Sequence, residues 1–138
     1  MAPLDPARVR ANLETVRAEV GPDVQILAAT KYLPLEDIGA LAQAGVTLAG
    51  ENRAQDLEAK AAAHPELTWD FIGQLQSRKV KQVVAHVRYI HSVASDSALR
   101  ELASAHGLRE LSMGTTQDYA VAAQEGATIV RIGQRLYA

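Results

Sequence analysis

Residues 21–45 read GPDVQILAATKYLPLEDIGALAQAG, and the reading of this stretch decides the fold. Gly21-Pro22 stops what precedes it, because proline cannot continue a helix and glycine adopts terminating conformations without cost. Val24 to Thr30 (VQILAAT) is a short apolar run of the length of a buried strand. Leu35, Ile38, Leu41 and Ala42 then share one face of a helix over 35–44, which Gly45 closes. A strand apolar throughout, followed at once by an amphipathic helix, is the unit of a parallel sheet covered by helices.

The same unit recurs outward from there. Upstream, Asp5 followed by Pro6 starts a helix, a capping carboxylate before a proline at the first helical position. Val9, Leu13, Val16 and Val20 give it one apolar stripe. Downstream, Val46–Gly50 is a second strand and Ala54, Leu57 and Ala61 mark its helix. Trp69–Gly73 is a third, followed by a helix through Val80, Val83, Val84 and Val87. Tyr89–Val93 is a fourth, with Leu99, Leu102 and Ala103 on a helix that Gly107 closes. Leu108–Met113 is a fifth strand, Tyr119–Glu125 a helix, and Thr128–Ile132 a sixth strand. Short turns between alternating elements call for parallel pairing with right-handed crossovers. The expected class is α/β, about six βα units with an N-terminal helix, in one domain over residues 1–138; periodicity alone leaves an open sheet and a barrel both standing.

Bulk composition narrows the function classes. The 138 residues are 48% hydrophobic and 22% charged, with net charge −2 and no cysteine. A disulfide framework and a thiolate metal site are therefore excluded. MAPLDPARVR has no apolar leader core, and no stretch approaches the ~18 apolar residues of a membrane span. A soluble, cytoplasmic protein is expected. The basic cluster Arg78-Lys79-Val80-Lys81 lacks interleaved aromatics and reads as a solvated helix face rather than a nucleic-acid contact. His64, His86, His91 and His106 show no metal spacing and read as structural or solvated.

In parallel α/β folds the chemistry collects where strands end and helices begin. Lys31 follows the first strand, where a closed site would lower its pKa and free the neutral amine that imine formation needs; a solvated surface lysine is the alternative. After the second strand come Glu51 and Asn52, either to orient a ring substituent or to cap the next helix. After the third come Gly73, which allows a tight turn, the amides of Gln74 and Gln76, and Ser77, a candidate helix cap. Ser112-Met113-Gly114-Thr115-Thr116 precedes a helix, so hydroxyls and free N–H groups would make an anion site there. Arg131-Ile132-Gly133 closes the last strand, with Gly133 allowing backbone to approach a ligand. An amine after the first strand and an anion cradle after the last two together suit a phosphorylated aldehyde.

These strings carry a resemblance. Ala29-Thr30-Lys31, Gly50-Glu51-Asn52 with Gln55, and Phe71-Ile72-Gly73-Gln74-Leu75-Gln76-Ser77 with Lys79 occur in order. His91-Ser92-Val93, Leu111-Ser112-Met113-Gly114 with Asp118, and Val130-Arg131-Ile132-Gly133 follow. Together they cover nearly the whole chain, which resembles the pyridoxal phosphate homeostasis proteins, relatives of the N-terminal barrel of alanine racemase. The resemblance implies a cofactor, pyridoxal 5′-phosphate (PLP), held as an internal aldimine on Lys31. It implies that Ser112, Thr116 (where the family usually has serine) and the backbone at Gly133 and Gln134 serve the phosphate. It also implies that Arg131 faces the pyridine nitrogen and that Asn52 lies beside the cofactor. The partners implied are PLP and the apo-enzymes that receive it, with no nucleic acid and no membrane, for a monomer or weak homo-oligomer.

The family barrel has eight βα units, whereas this chain offers six. Leu108-Arg109-Glu110 runs straight into Leu111-Ser112-Met113-Gly114, where the fifth and sixth units would stand. At ~30 residues per repeat, roughly 60 or more are missing, in keeping with the ~200 to 250 residues of ordinary barrels. In a barrel the last strand lies beside the first, so Lys31, Arg131 and the Thr116 loop remain neighbours. The fourth and seventh strands either pair with each other or leave two exposed edges. Arginine cannot give up its proton, so a pyridine nitrogen facing Arg131 stays unprotonated and the cofactor is a weak electron sink. Three functions are therefore expected in this order: a PLP carrier with little or no catalysis, a PLP enzyme such as a weak racemase, and a scaffold.

Overall fold

The computed structural model describes residues 3–91 and 129–138. Helix α1 (Pro6–Val20) starts as anticipated: the Asp5 carboxylate accepts from the Ala7 N–H at 3.0 Å. It ends on Gly21, and the later glycine Gly45 ends the second helix; their φ angles of 90° and 97° lie where side chains other than glycine are strained. Val9 and Val16 are buried, with Leu13 and Val20 packed at the edge of the core.

Four parallel strands follow: β1 (Gln25–Ala29), β2 (Leu48–Glu51), β3 (Thr68–Phe71) and β4 (Ile129–Ile132), in the order β3-β2-β1-β4. The chain's closing strand thus lies beside its opening one, with Gln25 opposite Ile129 and Leu27 opposite Arg131. On the other side Ala28 faces Ala49, and β2 runs against β3 from Leu48–Thr68 to Glu51–Phe71. Phe71 also forms a parallel bridge to Ile90, which sets the expected fourth strand beside β3, on the side away from β2. Its remaining residues, Ser92 and Val93, lie outside the described residues, as do the Leu108–Met113 strand, its flanking helices and the junction of the fourth with the seventh barrel strand.

Side chains alternate between the two faces of the sheet. Ile26, Ala28, Ala49, Trp69, Phe71, Val130 and Ile132 join the main core under helices α2 (Ile38–Gln43), α3 (Ala54–Ala63) and α4 (Val80–Val84). The opposite face carries a smaller cluster of Leu27, Leu48 and Ile129, with Ile72 and Tyr89 against it. Three sequence expectations are corrected. Leu35 lies in a 3₁₀ turn (Leu35–Asp37), not in α2, and is 43% exposed, because three residues per turn take it out of register with Ile38 and Leu41. Val87 lies beyond α4. A last helix, α5 (Gln134–Tyr137), was not anticipated, since four residues are too few to show a period.

Helix α1 ties the sheet's covering together. Asn12 donates to the Leu136 carbonyl at 2.9 Å and accepts from Arg135 at 3.2 Å, while Arg10 reaches the Gln43 and Ala44 carbonyls. The start of the chain thereby holds both α5 and the end of α2 in place behind β1 and β4.

Candidate functional site

At the carboxyl ends of the strands, Lys31, Asn52, Arg131, Gly133 and Gln134 line one pocket of about 750 Å³. Strand parity explains the assembly: Leu27, Ala29 and Lys31 alternate onto one face, as do Leu48 and Asn52, and Ile129, Arg131 and Gly133. The face opposite the described helices therefore ends in these groups. Ser112 and Thr116, expected at the phosphate, lie outside the described residues.

Each group has a distinct setting. Lys31 is exposed, and its Nζ sits 4.8 Å from the centre of the Tyr32 ring, itself 78% exposed. The strand ends at Ala29 and the first residue past it is Thr30, so Lys31 stands one residue further out on the rim. Arg131 is half-buried, and its Nε is buried without a hydrogen-bond partner among the described residues. Native proteins seldom leave such a donor unmatched. Gly133 heads α5, its carbonyl accepting from Leu136 and Tyr137. A Cβ at Gly133 would meet only the Ala29 Cβ, at an ordinary 3.8 Å, so packing among the described residues does not itself demand glycine.

Gly73 does more than turn the chain. A Cβ there would stand 2.1 Å from the Asn52 carbonyl oxygen, so the Asn52 backbone lies directly on the glycine. Glu51, expected to cap a helix or orient a ring, does neither. Its side chain is fully buried on the helix-covered face and pairs with Lys60 at 2.7 Å. Glu51 also accepts from the Thr30 hydroxyl (2.9 Å) and the Asn52 N–H (3.0 Å), while Lys60 donates to the Thr30 carbonyl at 2.9 Å. One buried ion pair thus holds the residue before Lys31 and the backbone of Asn52. Sequence reasoning missed Lys60, although its place three residues after Leu57, next to Ala61 on the buried stripe of α3, was a readable signal.

Tyr137 was missed as well. It lines the pocket and donates from its hydroxyl to the Ala29 carbonyl at 2.6 Å. Burial, and secondarily the charge of Glu51, push this phenol above its ordinary value, so it remains a protonated donor. Deeper on the same face as Ile72, the fully buried Asp70 binds Arg88 at 3.1 Å and His91 at 2.9 Å. His91 is thus structural and His64 pairs with Glu66 at 2.8 Å, while His106 lies outside the described residues.

No family model matches the chain. Curated relatives do. The pyridoxal phosphate homeostasis protein of Corynebacterium glutamicum is 38% identical over 96 residues, 70% of this chain and 43% of the relative. That of Synechocystis sp. is 39% identical over 79 residues, 55% of this chain and 36% of the relative. The chain therefore spans about two fifths of the length of the relatives it matches. Among solved structures, PipY of Synechococcus elongatus with PLP bound superimposes with a TM-score of 0.81 at 25% identity, covering 94% of this chain and 100% of that one. An unknown protein from Bifidobacterium adolescentis shares the fold, with a TM-score of 0.75 at 22% identity over 96% of this chain and 95% of its own. By sequence and by fold, the chain is a homologue of the pyridoxal phosphate homeostasis proteins.

Proposed function

We propose that the chain binds PLP in the pocket at its strand ends and serves intracellular PLP homeostasis by holding and releasing the cofactor, with little or no turnover. One observation carries this reading: the buried Arg131 Nε lacks a partner among the described residues, on the wall of the pocket that Lys31 also lines. A buried unmatched donor calls for an acceptor from outside the chain, and a pyridine nitrogen is such an acceptor. The group's shape and charge fit the residues present. When bound, PLP supplies an aldehyde for the Lys31 amine and a phosphate for the Ser112, Thr116, Gly133 and Gln134 loops.

The chain's own residues then divide the work. Lys31 holds the cofactor covalently; Asn52, fixed from behind by Glu51 and Gly73, borders the ring. Arg131 donates and never accepts, so it keeps the ring nitrogen unprotonated and disfavours carbanion chemistry. An exposed Lys31 leaves the covalent bond within reach of water and of other amines, which suits delivery to apo-enzymes by a cytoplasmic monomer or weak homo-oligomer.

PLP titration followed in the visible region, then borohydride reduction and peptide mapping, tests the reading. A single pyridoxyl label on Lys31 is expected. A Lys31→Ala protein with an unchanged cofactor spectrum, or a label on another lysine, would overturn it. Exchange of the α-deuterium of an L-amino acid above the rate with free PLP would replace it by an amino-acid enzyme.

A further inference from the structure

Beyond Asn52, which it shares with the cofactor pocket, lies a second cavity of about 310 Å³. The loop after β2 brings Arg53 and Gln55 to it, and the loop after β3 brings Gln74, Gln76 and Lys79. Phe71 and Leu75, each 2% exposed, also line it. These are the motif residues that the cofactor leaves without a task.

The charge of the lining is one-sided. Two cations and four primary amides face no carboxylate among the lining residues. Lys60 and Arg88 each have a buried acid, but neither Arg53 nor Lys79 forms an ion pair with a described residue. Lys79 also has no acid three or four places away on its own turn, where Leu75, Gln76, Gln82 and Val83 stand, so the usual pairing of a solvated helix face is missing. Arg78 donates to the Gln76 Oε1 at 2.9 Å, which leaves the Gln76 amide N–H groups as donors. A small cavity rich in donors and positive charge, beside an apolar wall, selects an oxyanion.

We propose that this cavity is an anion subsite for the phosphate or carboxylate group of a small molecule, with Arg53 and Lys79 as its charged ligands. Asn52 forms the wall between the two pockets, so occupancy of one changes the affinity of the other, and by linkage the effect is reciprocal. This coupling, unlike the subsite itself, rests on PLP filling the first pocket.

Titration of ¹⁵N-labelled protein with inorganic phosphate, and separately with acetate, tests the subsite. Saturating shifts are expected at the amides of Asn52, Gln55, Gln74 and Gln76, and the tighter of the two anions identifies the ligand class. Arg53→Gln and Lys79→Gln should each weaken binding about tenfold, with the rest of the spectrum unchanged as proof of fold. Shifts confined to Gly133 and Gln134, or equal affinity in the double variant, would overturn the subsite. Repeating the titration with saturating PLP should change the anion's affinity; an unchanged value overturns the coupling. Should PLP itself fail to bind, the cofactor reading fails while the first titration still decides the subsite.

Discussion

Replacing Lys60 by methionine should destabilise the protein more than any single surface change. Lys60 is 7% exposed and its amine sits 2.7 Å from a Glu51 carboxylate that is fully buried. Methionine retains the apolar stem but removes the charge, so Glu51 is left as an uncompensated buried anion and the Thr30 carbonyl keeps only the Leu33 N–H as donor. Removal of one partner from such a pair costs about 3–5 kcal/mol, a large share of the ~5–15 kcal/mol that a domain has in total. For a chain of this size the melting midpoint should fall by about 10–20 °C. Thermal and urea unfolding followed by far-UV circular dichroism measures both. The double variant Glu51→Leu with Lys60→Met should regain most of the loss, because well-packed apolar pairs replace buried ion pairs at little cost. Its PLP affinity should nevertheless be lower than the parent's, since the Asn52 N–H has lost its side-chain acceptor and the Thr30 hydroxyl keeps only the Gly50 carbonyl. A Lys60→Met protein within ~1 kcal/mol of the parent, or a double variant no more stable than the single one, would refute the reasoning.

Gly73→Ala forces a methyl to 2.1 Å from the Asn52 carbonyl, which only a backbone shift relieves; about 1–3 kcal/mol of stability should be lost, together with PLP affinity, as urea unfolding and cofactor titration would register. Arg131→Met removes the unmatched Nε, so the protein without cofactor should melt no lower than the parent, yet its PLP affinity should drop about tenfold. Tyr137→Phe deletes the 2.6 Å bond to the Ala29 carbonyl and should cost ~1 kcal/mol near neutral pH. The folded phenol titrates above its ordinary 10.0, so above that pH the unfolded chain binds fewer protons and stability declines as pH rises. That alkaline decline should be shallower in Tyr137→Phe, and equal slopes in the two proteins would count against a buried, protonated Tyr137.

Much of the fold is local and was legible. The Asp5 cap, the Gly21 and Gly45 stops, the apolar strand runs and the valine stripe of α1 act over a few residues, so composition and spacing suffice to read them. The motifs at strand ends likewise pointed to Lys31, Asn52, Arg131 and Gly133 as groups on one rim, where the ends of a parallel sheet meet, and the family resemblance added Gln134. Boundaries were less legible. Leu35 satisfied the helical period but belongs to a 3₁₀ turn, and α5 is too short to have a period at all.

What the sequence by itself determined, over the described residues, is the succession of strands and longer helices and the rim at which most of the chemical groups emerge. Only tertiary structure decided which of those groups meet and how they are satisfied. The pairing of Gln25 with Ile129 brings Arg131 and Lys31 into the lining of one pocket across a hundred residues of chain. Folding also buries Lys60 against Glu51, lays the Asn52 backbone on Gly73, and leaves the Arg131 Nε without a partner. The reason is physical: a propensity depends on near neighbours in the chain, whereas burial, ion pairing and an unmet hydrogen bond depend on atoms that only the folded sheet brings together.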